Sequence, residues 1–303
     1  MKKILITGAT GLIGKELIKA CHAQGISINY LSTNRSKLKE EENLRGFYWN
    51  PIKGEIDSEC FEGVSAVINL AGAPIAKRWT ESYKKLIIDS RVKSVQLLHK
   101  TIHGEGFEIE HFITASAIGI YPPSEMEFYE EDHAIEKGDF VSEVVRLWEN
   151  AAGEFKNSGI PVTCIRIGLV LSDSGGVLEK ISKPIKNFVG SGLGSGKQWQ
   201  SWIHIDDLVG IFMYCLNKNV YGEINAVAPN AVIHNVLIKS IADSIGKPIL
   251  LPNVPSWVLK LALGEMHVIV TKGQRVSSKK IEALGYAFKY HQLDSALNDL
   301  FEA

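Results

Sequence analysis

The sequence predicts a doubly wound α/β fold, a parallel sheet with helices on both faces. Short apolar, β-branched runs alternate with helical patterns through the first half of the chain, which implies right-handed crossovers between parallel strands. The run VINLA at 67–71 is apolar without alternation, as a strand buried on both faces requires. Strands are expected at 3–7, 27–32, 46–49, 65–71, 111–116 and 161–168, and helices at 12–24, 79–103 and 140–157. After about 171 the texture changes to the loop-rich SDSGG and GSGLGSGK. A helix DDLVGIFMYCLNK, capped by Asp206 or Asp207, and a further strand GEINAVA then follow. The remainder is mainly helical. Residues 1–171 plus about 204–229 are expected to form the sheet core. About 172–203 plus 230–303 would form a smaller, mainly helical lobe interleaved with it.

An apolar fraction of 45% with 22% charged residues suits a soluble chain of 303 residues with a substantial core. The net charge of −1 gives no positive field for nucleic acid. Cys21, Cys60, Cys164 and Cys215 are far apart, lack metal-ligand spacing and read as buried free thiols in a reducing compartment. No other cluster of His, Cys and carboxylates has such spacing, so no metal is expected. The apolar opening MKKILI stops at Thr7-Gly8, too soon for a signal peptide, and no stretch reads as a membrane span. A cytoplasmic monomer or homodimer is the expectation.

Residues 4–17 read ILITGATGLIGKEL, a strand delivering into Gly8, Gly11 and Gly14 at the opening of a helix. Such a turn suits a dinucleotide pyrophosphate, held on free N–H groups at the positive end of the helix. The spacing is GxxGxxG, and Gly8, Thr10, Gly11, Leu12, Ile13 and Gly14 are the expected contacts. An acid holding the adenosine ribose would stand about twenty residues on. That stretch contains Ser32, Asn34, Arg35 and Lys37 and no acid before Glu40, so a 2′-phosphate and NADP(H) are predicted, with Arg35 as main determinant.

GATGLIG, NLAG at 69–72 and SWIHIDDLV at 201–209 resemble the extended or atypical short-chain dehydrogenase/reductase superfamily. NLAGAPI, RWTE, DSRV at 89–92, GSGKQWQSWIHIDDLVG, LGEM at 263–266 and GQRV at 273–276 resemble its branch of nucleoside-diphosphate-sugar-epimerase-like "epimerase family" proteins, along essentially the whole chain. The resemblance implies a Rossmann core, a nicotinamide cofactor and a small C-terminal substrate lobe. It also implies that Leu70, Ala71 and Gly72 line the cofactor, and that Thr114, Ala115 and Ser116 end the fifth strand near the nicotinamide.

Reductases and epimerases of the superfamily usually work with a Tyr-x-x-x-Lys pair, in which the lysine lowers the phenol pKa. Here Phe140 or Val141 stands at the tyrosine position and Val144 or Val145 at the lysine position. The chain's one Tyr-x-x-x-Lys, Tyr214 and Lys218, belongs to a later helix and reads as structural. Ser116 and Tyr121 are the substitutes considered for holding a substrate oxygen, each alternatively a structural residue. Glu143, Arg78 and Trp79 are further candidates for the pocket. Trp199 and Trp202 either recognise a planar polar ligand or pack the second lobe, and His204 reads as hydrogen-bonded structure beside the pocket. The expected function is an NADP(H)-dependent oxidoreductase or epimerase-like protein acting on a small or nucleotide-linked polar substrate. The alternative is a non-catalytic NADP(H) sensor or regulator.

Overall fold

The computed structural model describes residues 2–135 and 138–302. Strands β1 (Lys3–Thr7), β2 (Ser27–Ser32), β3 (Leu44–Asn50), β4 (Ala66–Asn69), β5 (His111–Ala117) and β6 (Val162–Ile167) belong to one sheet. Leu169–Leu171 and Trp202–His204 are β7 and β8, a separate parallel pair, and Gly222–Ala226 is β9. The main sheet runs β9-β6-β5-β4-β1-β2-β3, all parallel, with the short strand Glu40–Glu41 antiparallel at its edge. Strand order reverses between β1 and β4, which leaves a crevice at their carboxyl ends. This is the Rossmann arrangement.

The helices flanking the sheet are α1 (Leu12–Ala23), α2 (Glu81–Glu105), α3 (Phe140–Asn157) and α5 (Ile205–Lys218), with α4 at Val177–Lys186 and α6 at His234–Ile245. Because the crossovers run outward in opposite directions from the switch point, they cover opposite faces; α1 packs with α5 and α2 with α3. Ile4, Leu5, Ile6, Val67 and Ile68 are essentially inaccessible, as the unbroken apolar runs predict. A second apolar cluster unites Leu178, Trp202, Leu237, Ile241 and Leu297. Asp207, at the start of α5, secures the chain that leads to the last helix. Its buried carboxylate accepts from the N–H groups of Lys289 and Tyr290 and from Tyr286 Oη.

Two expected strands are shorter in the structure, for identifiable reasons. The one foreseen over 65–71 ends at Asn69, because the N–H groups of Leu70 and Ala71 turn to Thr7 Oγ1, each at 3.1 Å. The one foreseen over 161–168 ends at Ile167. Gly168 there lies so close to the Ser201 backbone that any Cβ would collide with it, and the chain moves on into β7. All four cysteines are buried and free, and burial pushes their thiols up. No helix among the described residues is long and apolar enough to cross a membrane.

His111 and His234 are buried, each with one ring nitrogen unpaired, and burial pulls both from 6.5 down to about 4. Unfolded histidines protonate near pH 6.5, so the unfolded chain binds more protons between pH 6.5 and 4. Stability is therefore complete above that window and declines as the pH falls through it. Urea unfolding at pH 7 and pH 5 should differ by roughly 2 kcal/mol per histidine. Replacing either histidine with glutamine should flatten the dependence, and an unchanged slope would remove that histidine as its source.

Candidate functional site

The crevice at the switch point is a cleft of about 340 Å³, walled by Gly8 and Thr10 of the glycine turn, Ser32 and Thr33 at the end of β2, and Trp49 to Ile52 at the end of β3. Ala71 to Ala73 and Leu86 and Ser90 of α2 close the other side. The turn itself explains two of its glycines. Gly8 sits at φ +67°, and a Cβ there would lie 2.8 Å from the carbonyl oxygen of Leu70. A Cβ on Gly14 would overlap the Gly8 carbonyl, so only glycine lets α1 start against the turn.

Three of the long helices are capped by side chains, and α1, like α6, is not. Thr80 caps α2, Asp139 caps α3 and His204 caps α5 through their side chains. Helix α1 has Gly11 at its cap, no side-chain cap and no acid in its first turn. Its positive end and free N–H groups are thus left for an anion from outside the chain. The residues present fit a dinucleotide pyrophosphate.

Beyond β2, Asn34 caps the short helix Arg35–Lys37. Arg35 is exposed and stacks its guanidinium on the Tyr48 ring, 3.8 Å from the centroid. That stacking holds a cation just past Thr33 at the rim of the cleft.

A buried polar chain crosses the carboxyl ends of three strands. Thr7 Oγ1 donates to Asn69 Oδ1 at 2.7 Å, Asn69 Nδ2 donates to Thr114 Oγ1 at 3.1 Å, and Thr114 donates to the Ala115 carbonyl. Thr114 and Ala115 are thereby held at the end of β5, both buried.

The structure brings Gly8, Thr10, Ser32, Ala71 and Gly72 to one cleft, and several other predicted site residues stand apart from it. Tyr121 is fully buried: its hydroxyl donates to Asn225 Oδ1 at 2.8 Å and accepts from Arg166 Nη1 at 2.9 Å, while its ring stacks on Tyr129. Burial pushes its phenol up to about 12. These contacts correct the expectation of a catalytic phenol, because the group is a buried strut with its proton held. Ser116 Oγ donates to Glu149 Oε1 at 2.6 Å. Glu143 forms a two-oxygen pair with Arg146 one turn along α3, which makes it a helix-surface charge.

Trp202 is fully buried and donates to the Asn230 carbonyl, and so takes the packing reading. Trp199 donates to the Glu125 carbonyl and lies under Arg275. His204 caps α5 through Nδ1, with Nε2 3.4 Å from Asp299 and the ring against Tyr290, a structural position. Trp79 donates to the Ile75 carbonyl and packs edge-on against Phe140, with Arg78 exposed beside it. Tyr214 donates to the Leu284 carbonyl.

Helix α3 contains no tyrosine, and its one lysine, Lys156, pairs with Glu223 at the far end. The charge cluster beside Ser116 is instead Glu149 and Arg166, joined side-on by Nε to Oε1 at 2.9 Å and Nη2 to Oε2 at 3.0 Å. Arg166 is 5% and Glu149 14% exposed. The pairing and the Tyr121 contact hold Arg166 above its ordinary value despite the opposing effect of burial. Sequence reading missed this pair. A lone arginine within the apolar strand VTCIRI was the available signal.

The profile of the NAD dependent epimerase/dehydratase family matches residues 4–228, and the chain belongs to that family. Residues 254–300 match a domain of unknown function. The chain is 38% identical to an epimerase family protein of Staphylococcus haemolyticus and 35% to one of Staphylococcus aureus, with full coverage of both chains in each case. It superposes with TM-score 0.86 and 28% identity on the crystal structure of human epimerase family protein SDR39U1 with NADPH, covering 99% of each chain. A nucleoside-diphosphate sugar epimerase from Corynebacterium glutamicum gives TM-score 0.79 at 28% identity. That match covers 99% of this chain and 58% of the longer one.

Removing one member of a buried ion pair leaves an uncompensated charge, at a cost of about 3–5 kcal/mol. Glu149→Ala should therefore lower the urea unfolding free energy by that amount. Glu149→Ala combined with Arg166→Met should recover most of it. A double variant as unstable as the single one would mean that the pair itself, not the orphaned cation, supplies the stability.

Proposed function

We propose that this protein binds NADP(H) at the glycine cleft and acts as an oxidoreductase or epimerase-like enzyme on a small or nucleotide-linked polar substrate. The observation that carries the reading is the uncapped start of α1, opening on a cleft whose far rim presents Arg35 and no acid. The relative crystallised with NADPH supports the choice of phosphate. NADP(H), when bound, supplies hydride exchange at the nicotinamide.

Within the chain, the Leu12 to Gly14 turn would hold the pyrophosphate, Ser32, Thr33 and Arg35 the ribose phosphate, and Ile52 and Leu86 would flank the apolar base. Residues Ala71 to Ala73 would form the wall toward the reacting end, and the portion after 230 with 172–203 would cover it as the substrate lobe. Ser116 has its proton committed to Glu149 and therefore offers lone pairs, which would accept from a substrate hydroxyl. Glu149, already paired with Arg166, is an acceptor there, so reduction of a carbonyl would draw its proton from water. Loss of a positioned general acid typically costs 10²–10⁴-fold, and turnover is expected to be slow.

A non-catalytic sensor is the second reading, favoured by the absence of tyrosine from α3 and by the locked Tyr121. Unequal affinities for NADPH and NADP⁺ with no carbonyl turnover would establish it.

Calorimetry decides the cofactor reading. NADPH should bind more tightly than NADH. Arg35→Ala should weaken NADPH about ten- to hundredfold, one charge-assisted hydrogen bond of roughly 1.5–3 kcal/mol, and leave NADH unchanged. Equal effects on both would assign Arg35 a role other than phosphate recognition, and no binding of either would overturn the reading.

A further inference from the structure

Arg91 on α2 is a half-buried cation beside the cleft, in no ion pair among the described residues. Its Nη1 donates to the carbonyls of Ala73 at 3.2 Å and Ile87 at 3.1 Å. Nε and Nη2 make no hydrogen bond and no ion pair among the described residues. The carboxylates of Asp89, Glu81 and Glu149 are engaged elsewhere. Asp89 pairs with Lys93, Glu81 with Lys84, and Glu149 with Arg166. Burial accordingly pulls the guanidinium down to about 10.

The Arg91 guanidinium lies over the indole of Trp148, 5.2 Å from the ring centroid. Trp148 is 6% exposed, and its Nε1–H is buried with no partner among the described residues. On the other side Gly72 approaches so closely that a Cβ would lie 3.1 Å from Arg91 Cζ. The free groups of this cluster, Arg91 Nε and Nη2 and Trp148 Nε1–H, are all donors, and a buried donor such as Trp148 Nε1–H is ordinarily satisfied, so the missing member is an acceptor.

The free edge also specifies the acceptor's shape. Nε and Nη2 are the two parallel donors with which Arg166 grips both oxygens of Glu149. A planar two-oxygen anion matches that edge. Gly72, Ala73 and Ser90, which surround Arg91, also line the cleft, so a group held here would stand next to the bound dinucleotide.

We infer that Arg91, with Trp148 Nε1–H, is the binding site for a carboxylate group of the substrate, which makes the substrate class a carboxylate-bearing carbonyl or hydroxy compound. This rests on the NADP(H) reading above.

The test titrates wild-type protein, with and without saturating NADPH, with acetate, benzoate and succinate, and with acetamide and benzamide as neutral counterparts. Thermal shift and the Arg91 side-chain Nε–H resonance report binding. Carboxylates should bind and amides should not. Arg91→Gln should weaken carboxylate binding at least about tenfold, the effect of one charge-assisted bond. Arg91→Lys, which keeps the charge and loses the fork, should fall between. Trp148→Phe keeps the ring, loses the N–H and should weaken binding by a smaller factor. Equal binding of amides, undiminished carboxylate binding in Arg91→Gln, or no carboxylate binding at about 100 mM would overturn the assignment. If Arg91→Gln loses NADPH affinity tenfold with carboxylate binding unchanged, the arginine serves the cofactor and the assignment falls while the cofactor reading stands. If NADPH fails to bind the wild type, the cofactor reading falls, and the titration without NADPH still decides whether Arg91 holds a carboxylate.

Discussion

The buried hydroxyl of Thr7 governs the geometry of the whole cleft. A threonine hydroxyl has one proton and two lone pairs, and here all three are used. The proton goes to Asn69, and the lone pairs take the N–H groups of Leu70 and Ala71. That saturation terminates β4 and turns the chain outward as the wall of the crevice. Through Asn69 and Thr114 the same chain of bonds joins β1, β4 and β5. In a site of low dielectric such bonds reinforce one another. The wall, the glycine turn and the end of β5 therefore keep a fixed mutual position.

A second buried polar group organises the neighbouring region by different means. Helix α3 sets Glu149 facing Arg166 on β6. Charge-assisted bonds from Ser116 and to Tyr121 complete the group. The pair fixes α3 against the sheet and gives Tyr121 an immovable proton, which is the opposite of what acid catalysis asks of a phenol. The region is thus built for rigidity, and whatever reactivity it has must come from groups around Ser116 and the wall.

Much of the frame was legible in the sequence because its signals are local. The central strands and α1 to α3 follow from apolar runs and helical spacing, and the glycine turn from three residues in seven. Asn69 was visible as one polar residue inside VINLA, but its partners lie 62 and 45 positions away. Glu149 and Arg166 were hidden for the same reason: each looks like an isolated charge until the fold sets them together. Tyr121 misled because its distance from the end of β5 suits a pocket residue, whereas Asn225 and Arg166, which bury it, come from β9 and β6. The wall contributed by Trp49 to Ile52 carries no motif, and only the register of β3 beside β2 brings it to the cleft.

The segment Ala71 to Ala73 is where the two halves of the site meet. Its N–H groups are held by Thr7 and, at Ala73, by Ser90 Oγ at 2.9 Å, while the Ala73 carbonyl is held by Arg91. One face of this short segment lines the cleft, and Gly72 lies against the Arg91 guanidinium. A Cβ at 72 would lie 3.1 Å from Arg91 Cζ, so the guanidinium would have to give by a few tenths of an ångström. NLAG and DSRV, 17 residues apart between Ala73 and Ser90, are consequently two halves of one structural unit. Thr7 fixes that unit from below, and the edge of Arg91 is the part of it that no described residue completes.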